Sequence, residues 1–304
     1  MVKRSQYKKK KRKTKRNKKT NKKNKKNKNN TIKRIKKKTK KIKRTKNRIN
    51  NKIKTIKDKY NIQDIPLSKE KNLGTNASSN IVDYHYQHLL NLVDFFNKLR
   101  KRNIINNVGF FDNDAASLLR VNIKRSTVEP IYGSKKDYIY NLTKCLHYRF
   151  IPITIDTRAL QNYSEYSGYD VEMESHANTI LIDTKNKQIE LFEPHGYKPK
   201  KSTSSTSVSN YHKKRKLLIQ FFKDFLPEFK FINVVDYIKD KSFQKRYDAN
   251  SGYCVTWSAL YIHYRILNPD VPIKILLQYI NLLVNTVVLL RYAKYIEDVL
   301  KNKK

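Results

Sequence analysis

The sequence predicts an α+β domain that follows a basic N-terminal tail. Helix-like and strand-like segments succeed one another after residue 84, and two apolar strands around a polar turn form a hairpin between His176 and Glu193. Residues 1–60 contain 32 Lys and Arg and a single acid, whereas residues 61–304 contain 36 bases and 24 acids. The net charge of +43 is therefore mostly a property of the tail.

Residues 1–60 hold too few apolar side chains to bury a core, so the sequence predicts a tail that is disordered or only transiently helical. Its isoleucines from position 32 to 56 recur at intervals of three, seven, seven, four and three, which is helical spacing. The alternative is therefore that residues 30–57 fold into a helix on a polyanion. The charge predicts nucleic acid as the partner, with an anionic membrane, or a targeting or solubilising role, as the alternatives.

The remaining composition excludes several classes of protein. No apolar segment follows Met1, so we expect a protein that is not secreted. The run Ile275–Leu290 is interrupted by polar residues and is shorter than the roughly 20 residues of a membrane span, which favours a buried helix. Two cysteines suit a reducing compartment. Without a glycine-rich phosphate loop or a paired Cys-x-x-Cys, the sequence predicts neither a cofactor nor a metal site.

The elements follow in chain order. Residues 61–83 carry Pro, Gly, Ser and Asn without periodicity and are predicted to be a linker or wrapping arm, with the domain over residues 84–304. Helical periodicity predicts four helices: His85–Lys101, Tyr211–Phe225, Cys254–Leu267 and Ile273–Leu300, the last long or broken in two. Apolar runs predict four strands: Arg149–Ile155, 177–183, 188–193 and Phe229–Val235. Pro152 indicates an edge or end position, and Ser202–Ser209 is predicted to be a loop.

The hairpin brings a histidine close to a carboxylate. If the turn is centred on Thr184–Lys185, His176 lies opposite Glu193. If the centre is one position later, Glu193 opposes Asn178 and is the diagonal neighbour of His176 on the same face. A histidine oriented by a carboxylate is the arrangement of a general base, whereas the alternative is an ordinary ion pair at the mouth of a hairpin.

Strand alternation selects among the other groups near this hairpin. Glu190 and Asp183 point to the opposite face in both registers that bring His176 and Glu193 together. His195 shares the face of Glu193 and is a competing imidazole.

The segment DANSGYCVTWSALY, residues 248–261, offers a nucleophile. A polar loop leads into an apolar helical run that has Cys254 in its first turn, where helix amides favour a thiolate. The alternative is a buried structural cysteine. Cys145 is followed two residues later by His147, but it has no acid and no loop-to-helix step, so it is predicted to be structural.

The order His176, Glu193, Cys254 resembles the adenain and Ulp1-type cysteine proteases, a clan that contains adenovirus, poxvirus and asfarvirus maturation proteases and deSUMOylating enzymes. The seventeen-residue step from histidine to acid, the segment LFEPHGY at residues 191–197 and the cysteine at the head of a helix carry the resemblance, over about residues 145–268. It implies a papain-like Ulp1/adenain-like protease fold with a Cys254–His176–Glu193 triad. The implied substrates are viral structural precursors or ubiquitin-like conjugates.

The resemblance also implies a member from a giant DNA virus, located in the virion or inside the infected host cell, whose tail binds nucleic acid. The sequence departs from the clan at the residues that follow the histidine and the cysteine. Ala177 stands where Trp is usual, and Val255 stands where Gly is usual. These departures favour a second hypothesis, a non-catalytic nucleic-acid-binding virion protein on the same scaffold. A third is a binder or inhibitor of ubiquitin-like proteins without turnover.

The clan also places a glutamine six or seven residues before the cysteine, where it polarises the oxyanion. Here those positions hold Asp248 and Tyr247, and an ionised aspartate cannot donate a hydrogen bond. Gln244, ten residues before the cysteine, and Asn250 are the predicted oxyanion donors.

Overall fold

The computed structural model describes residues 34–35, 37–69, 89–111, 117–158, 176–194, 205–237, 243 and 253–301. The chain divides into two compact units, Met1–Ile56 and Lys57–Lys304. Residues 34–60, apart from residue 36, are helical and form α1. Residues 1–60 were predicted to be disordered or only transiently helical, with a helix over residues 30–57 as the alternative. The part described here is helical, and residues 1–33 lie outside the described part of the chain. The helix agrees with the isoleucine spacing, and the hydroxyls of Thr39, Thr45 and Thr55 donate to carbonyls one turn earlier.

The second unit begins at Lys57, before the predicted start at Tyr84. The segment that follows α1 packs as an arm, because Ile62 and Ile65 are buried. The Gln63 amide donates to Asn268 Oδ1 at 2.6 Å. The phenol of Tyr279 donates to the carboxylate of Asp64 at 2.5 Å. Residues 62–65 are therefore part of the domain, while residues 70–88 lie outside the described part of the chain.

A six-stranded mixed sheet forms the centre of the second unit. Its strands are β1 (Leu118–Asn122), β2 (Thr127–Pro130), β3 (Phe150–Arg158), β4 (His176–Asp183), β5 (Gln188–Phe192) and β6 (Lys230–Asn233). The spatial order is β2-β1-β3-β4-β5-β6, with β1/β3 and β5/β6 parallel and the other pairs antiparallel. Alternate residues of β3 and β4, such as Ile153 and Ile180, enter one large apolar core.

Helices cover both faces of this sheet. They are α2 (Leu89–Lys101), α3 (Lys135–Cys145), α4 (Ser205–Lys223), α5 (Cys254–Leu267), α6 (Ile273–Leu283) and α7 (Thr286–Lys301). The large core holds Leu142 of α3 and Leu218 of α4, so these helices cover what we call the α4 face. Helix α5 packs on the other face, the α5 face, and is in turn covered by α2, α6 and α7. The predicted α+β class is confirmed.

Several predicted bounds are confirmed to within a few residues, and the differences have local causes. Helix α4 begins at Ser205, inside the predicted loop. The terminal helix is broken at Val284, which is extended, and Asn285 accepts a hydrogen bond from the Val288 amide and so caps α7. Strand β3 is central and Pro152 is its third residue, so of the two positions predicted from this proline, edge or end, the structure has the end. Pairing with β1 starts only at Thr154, so the missing proline N–H is tolerated near the strand's beginning.

Among the described strands and α-helices, three were not predicted. Strands β1 and β2 contain five and four residues, too few to show alternation clearly. Helix α3 did have a start signal, a capping box in which the Ser134 hydroxyl accepts from the Asp137 amide and the Asp137 carboxylate accepts from the Ser134 amide.

Among the described residues, no single helix is long and apolar enough to cross a membrane. Helices α6 and α7 reach that length and composition only as a pair, across a bend of 104°.

Candidate active site

The candidate residues of the hairpin lie at one end of the sheet. Strand β4 begins at His176, and β5 ends at Phe192, immediately before Glu193. The two strands pair from Thr179↔Phe192 to Asp183↔Gln188. Continued by one residue, this register sets Asn178 opposite Glu193 and makes position 176 its diagonal neighbour on the same face. This is the second of the two registers considered from the sequence.

Glu193 is held from the α4 face by a lysine. Its Oε2 lies 2.7 Å from Nζ of Lys214 in α4, and the two side chains are 5% and 6% exposed. One turn before Lys214, the phenol of Tyr211 hydrogen-bonds the amide of Asn233 at the end of β6. Burial raises the pKa of Tyr211 to about 12, opposed by the Asn233 hydrogen bond and assisted by the charge of Glu193. The end of the sheet is therefore a buried polar site on this face.

Sequence reasoning missed Lys214. The signal was its position on α4, where the buried residues Tyr211, Lys214, Leu218 and Phe222 recur at helical intervals. A lysine on the apolar side of an amphipathic helix needs a buried anionic partner, because burying an unpaired ammonium group costs on the order of several kcal/mol of stability.

Cys254 is the first residue of α5 and is 9% exposed. The backbone bond from the Trp257 amide to the Tyr253 carbonyl, 2.9 Å, begins the helix, and the Tyr253 side chain makes no capping hydrogen bond. The first-turn amides of α5 are thus not capped by that side chain. Such amides favour an anion at the helix N-terminus.

Contacts along α5 show which end of the sheet Cys254 approaches. Arg265 binds Asp183, the last residue of β4, whereas Tyr261 stacks on Phe192, the last residue of β5, with ring centroids 4.5 Å apart. The N-terminal half of α5 is therefore directed toward the end of the sheet at which β4 begins and β5 ends. Cys254 lies two turns beyond Tyr261, about 10 Å along the helix axis.

Cys254 and Glu193 thus approach the same end of the sheet from opposite faces. The carboxylate of Glu193 is met by α4, and Cys254 belongs to the helix on the α5 face. For His176, the structure describes the backbone at the first residue of β4, paired with Thr157 of β3. Gln244, Asn250 and His195 lie outside the described residues.

The other carboxylates of the hairpin face α5, as strand alternation predicted. Glu190 accepts three hydrogen bonds from the Arg265 guanidinium, at 2.7, 3.0 and 3.2 Å, and one from the phenol of Tyr261 at 2.5 Å. Asp183 lies 3.5 Å from the same guanidinium. Burial opposes the charge of Arg265, but Glu190 and Asp183 keep its pKa above the ordinary value. This cluster is an internal ion network rather than part of the candidate site.

Cys145 is buried in the large core, and its Sγ lies 3.4 Å from the Phe110 carbonyl oxygen. The described ranges contain no group of three or more His, Cys, Asp or Glu side chains that could hold a metal ion.

No protein-family model matches the sequence, and no curated protein matches it. Solved structures with partial similarity include the SUMO protease Ulp1 with its catalytic cysteine oxidised to a sulfinic acid, at 13% identity over 84% of this chain and 96% of that chain, with a TM-score of 0.37. The Chlamydia trachomatis effector protein ChlaDUB1 matches at 11% identity over 80% of this chain and 97% of its own, with a TM-score of 0.34. The Legionella pneumophila effector protein RavZ matches at 14% identity over 78% and 67%, with a TM-score of 0.36. Identities this low leave the activity of the chain to be inferred from its own residues.

Proposed function

We propose that this chain is a thiol protease or isopeptidase with Cys254 as its nucleophile. One observation supports the proposal: β4 begins at His176 and β5 ends just before Glu193 at one end of the sheet, and the contacts of Arg265 and Tyr261 direct the N-terminus of α5, where Cys254 lies, toward that end. A nucleophile, a base and an orienting acid are the parts that thiol-based acyl transfer needs.

In the proposed reaction, His176 takes the proton of the Cys254 thiol, and the thiolate attacks the carbonyl carbon of a peptide or isopeptide bond. The C–N bond breaks, the amine leaves with the proton from His176, and an acyl thioester remains on Cys254. Water deprotonated by His176 then hydrolyses the thioester. Glu193 orients the imidazole, and the Cys254 backbone N–H together with Gln244 or Asn250 holds the oxyanion.

The layered architecture sets a requirement on His176. Because α4 and α5 cover opposite faces, the base must be reached from Glu193 on one side and Cys254 on the other. A residue in the middle of a strand is confined to one face, whereas the first residue of β4 stands at the margin where both faces end. Lys214 would then hold Glu193 in place from behind.

Alkylation of Cys254 tests the proposal without any substrate. In the full chain, we expect iodoacetamide to label Cys254 rapidly at pH 6, where an ordinary thiol is protonated and slow, and we expect His176→Ala to abolish this labelling. Cys145 is the internal control because it is buried in the core, and exposed His212 provides the matched variant His212→Ala. Labelling of Cys254 that is unchanged in His176→Ala would remove the proposed base.

The proposed substrates are proteins, either viral structural precursors or ubiquitin-like conjugates, in a virion or an infected cell. This part rests on the resemblance of the sequence and on the preponderance of base over acid in residues 1–60, which we propose bind nucleic acid. The affinity of the full chain for duplex DNA should fall steeply between about 50 and 200 mM salt. Affinity that is constant over this range would contradict a phosphate-binding tail.

A non-catalytic nucleic-acid-binding protein is the second candidate, favoured by Asp248 and Tyr247 at the positions where the clan carries glutamine. In that case Cys254 would label like an ordinary thiol, while salt-dependent binding of DNA would remain.

A further inference from the structure

Three isoleucines lie exposed along α1. Ile35, Ile42 and Ile49 are 57%, 68% and 39% exposed, and they follow one another at intervals of seven residues. Ile56 continues the interval. Residues seven apart lie almost in line on a helix, with a drift of only about 20° per heptad. We call these four residues the isoleucine seam.

A second line of residues turns this seam into a heptad pattern. Thr39, Lys46, Ile53 and Tyr60 each follow a seam residue by four positions, and the first three also precede the next seam residue by three. Alternating steps of four and three are the spacing by which one helix packs against another. The pattern is narrow, because polar side chains occupy the second line at its first two positions.

The charges beside the seam restrict what can pack on it. Residues 35–56 contain eleven Lys and Arg and no acid. Lys38, Lys43 and Lys52 flank the seam, so two copies of α1 side by side would set lysines against lysines, which opposes self-association. A partner with carboxylates at the flanking positions would convert this repulsion into attraction. It would also stabilise α1 itself, since like charges one turn apart weaken a helix.

We propose that α1 is a docking surface for an acidic amphipathic helix of another protein. The apolar side of that helix would cover the isoleucine seam, and its Asp and Glu residues would face the flanking lysines. Nucleic acid would account for the lysines but would leave the isoleucines in water. A membrane-bound helix has a wider apolar face with aromatic anchors, whereas the chain has no aromatic residue between Tyr7 and Tyr60.

The test uses the full chain and a designed four-heptad peptide with Leu at every a and d position and Glu at every e and g position. A second peptide has the same composition in an order without a seam. We expect the first to bind at physiological salt at least about tenfold more tightly than the second. The seam variant Ile35→Ser/Ile42→Ser/Ile49→Ser should lose this preference. The control variant Asn47→Ser/Asn51→Ser/Thr55→Ser changes the opposite side of α1 at equal charge and should keep it.

Circular dichroism of the two variants shows whether their helix content is matched, because each carries three added serines. Equal binding of the two peptides would reduce the interaction to charge alone and overturn the proposal. Seam-dependent binding to anionic vesicles or to duplex DNA, without seam-dependent binding to the peptide, would also overturn it. None of these outcomes bears on Cys254, so failure here is separate from failure of the proposed protease activity.

Discussion

The ion pair between Glu193 and Lys214 leads to a quantitative expectation. At 2.7 Å and an effective dielectric constant of about 20, two unit charges attract by about 6 kcal/mol before desolvation is subtracted. Since both side chains are at most 6% exposed, removing one of them leaves the other charge buried. We therefore expect Lys214→Met to lower the free energy of unfolding by about 3–5 kcal/mol.

The double variant Glu193→Gln/Lys214→Met should lose less than the sum of its parts, with a coupling of about 1–3 kcal/mol. Urea unfolding followed by the fluorescence of Trp257, the one tryptophan of the chain and buried in α5, measures each variant. Lys135 provides the control, since its pair with Asp224 is 3.5 Å long with side chains 51% and 44% exposed. Lys135→Met should change stability by less than about 1 kcal/mol. Additive losses at Glu193 and Lys214, or a loss no larger than that of Lys135→Met, would refute the reasoning.

Two further expectations concern groups buried around α5. Burial lowers the pKa of His263 from 6.5 to about 3, so the free energy of unfolding should be intact above pH 6.5 and fall as the pH decreases toward 3. His263→Gln should flatten that fall in urea titrations at several pH values, and an equally steep fall in the variant would contradict the assignment. Arg265→Met removes the guanidinium that pairs with Glu190 and Asp183, both 0% exposed, and should cost about 3–5 kcal/mol. Adding Glu190→Gln should recover part of that loss, and no recovery would speak against the network.

The local parts of the fold could be predicted, and the long-range parts could not. The hairpin of β4 and β5 and the start of α5 at Cys254 follow from periodicity and from a polar loop before an apolar helix, signals that span fewer than about 20 residues. Two registers of this hairpin could be named in advance, because a contact between His176 and Glu193 requires both side chains to lie on the same face of the sheet. The partner of Glu193 could not be predicted, because Lys214 lies in α4, 21 residues later in the chain, and meets Glu193 only in the folded domain.

The same limit applies to the layers. Nothing in the order of segments says that α5 covers the face opposite to α4, since both helices follow the hairpin and both are apolar on the side that packs. Strands β1 and β2 were missed because a five-residue strand beside a parallel partner more than 30 residues later in the chain leaves little local pattern.

Because residues 62–65 pack on the domain, the site of a proteolytic cut between the basic segment and the domain would affect the stability of what remains. A cut before Lys57 would release most of the net positive charge and leave the arm on Asn268 and Tyr279. A cut after Ile65 would expose the surface that Ile62 and Ile65 cover, at roughly 1.5–3 kcal/mol for each isoleucine. Trimming on the N-terminal side of this arm would therefore keep its contacts, whereas trimming beyond the arm would lower the stability of the domain.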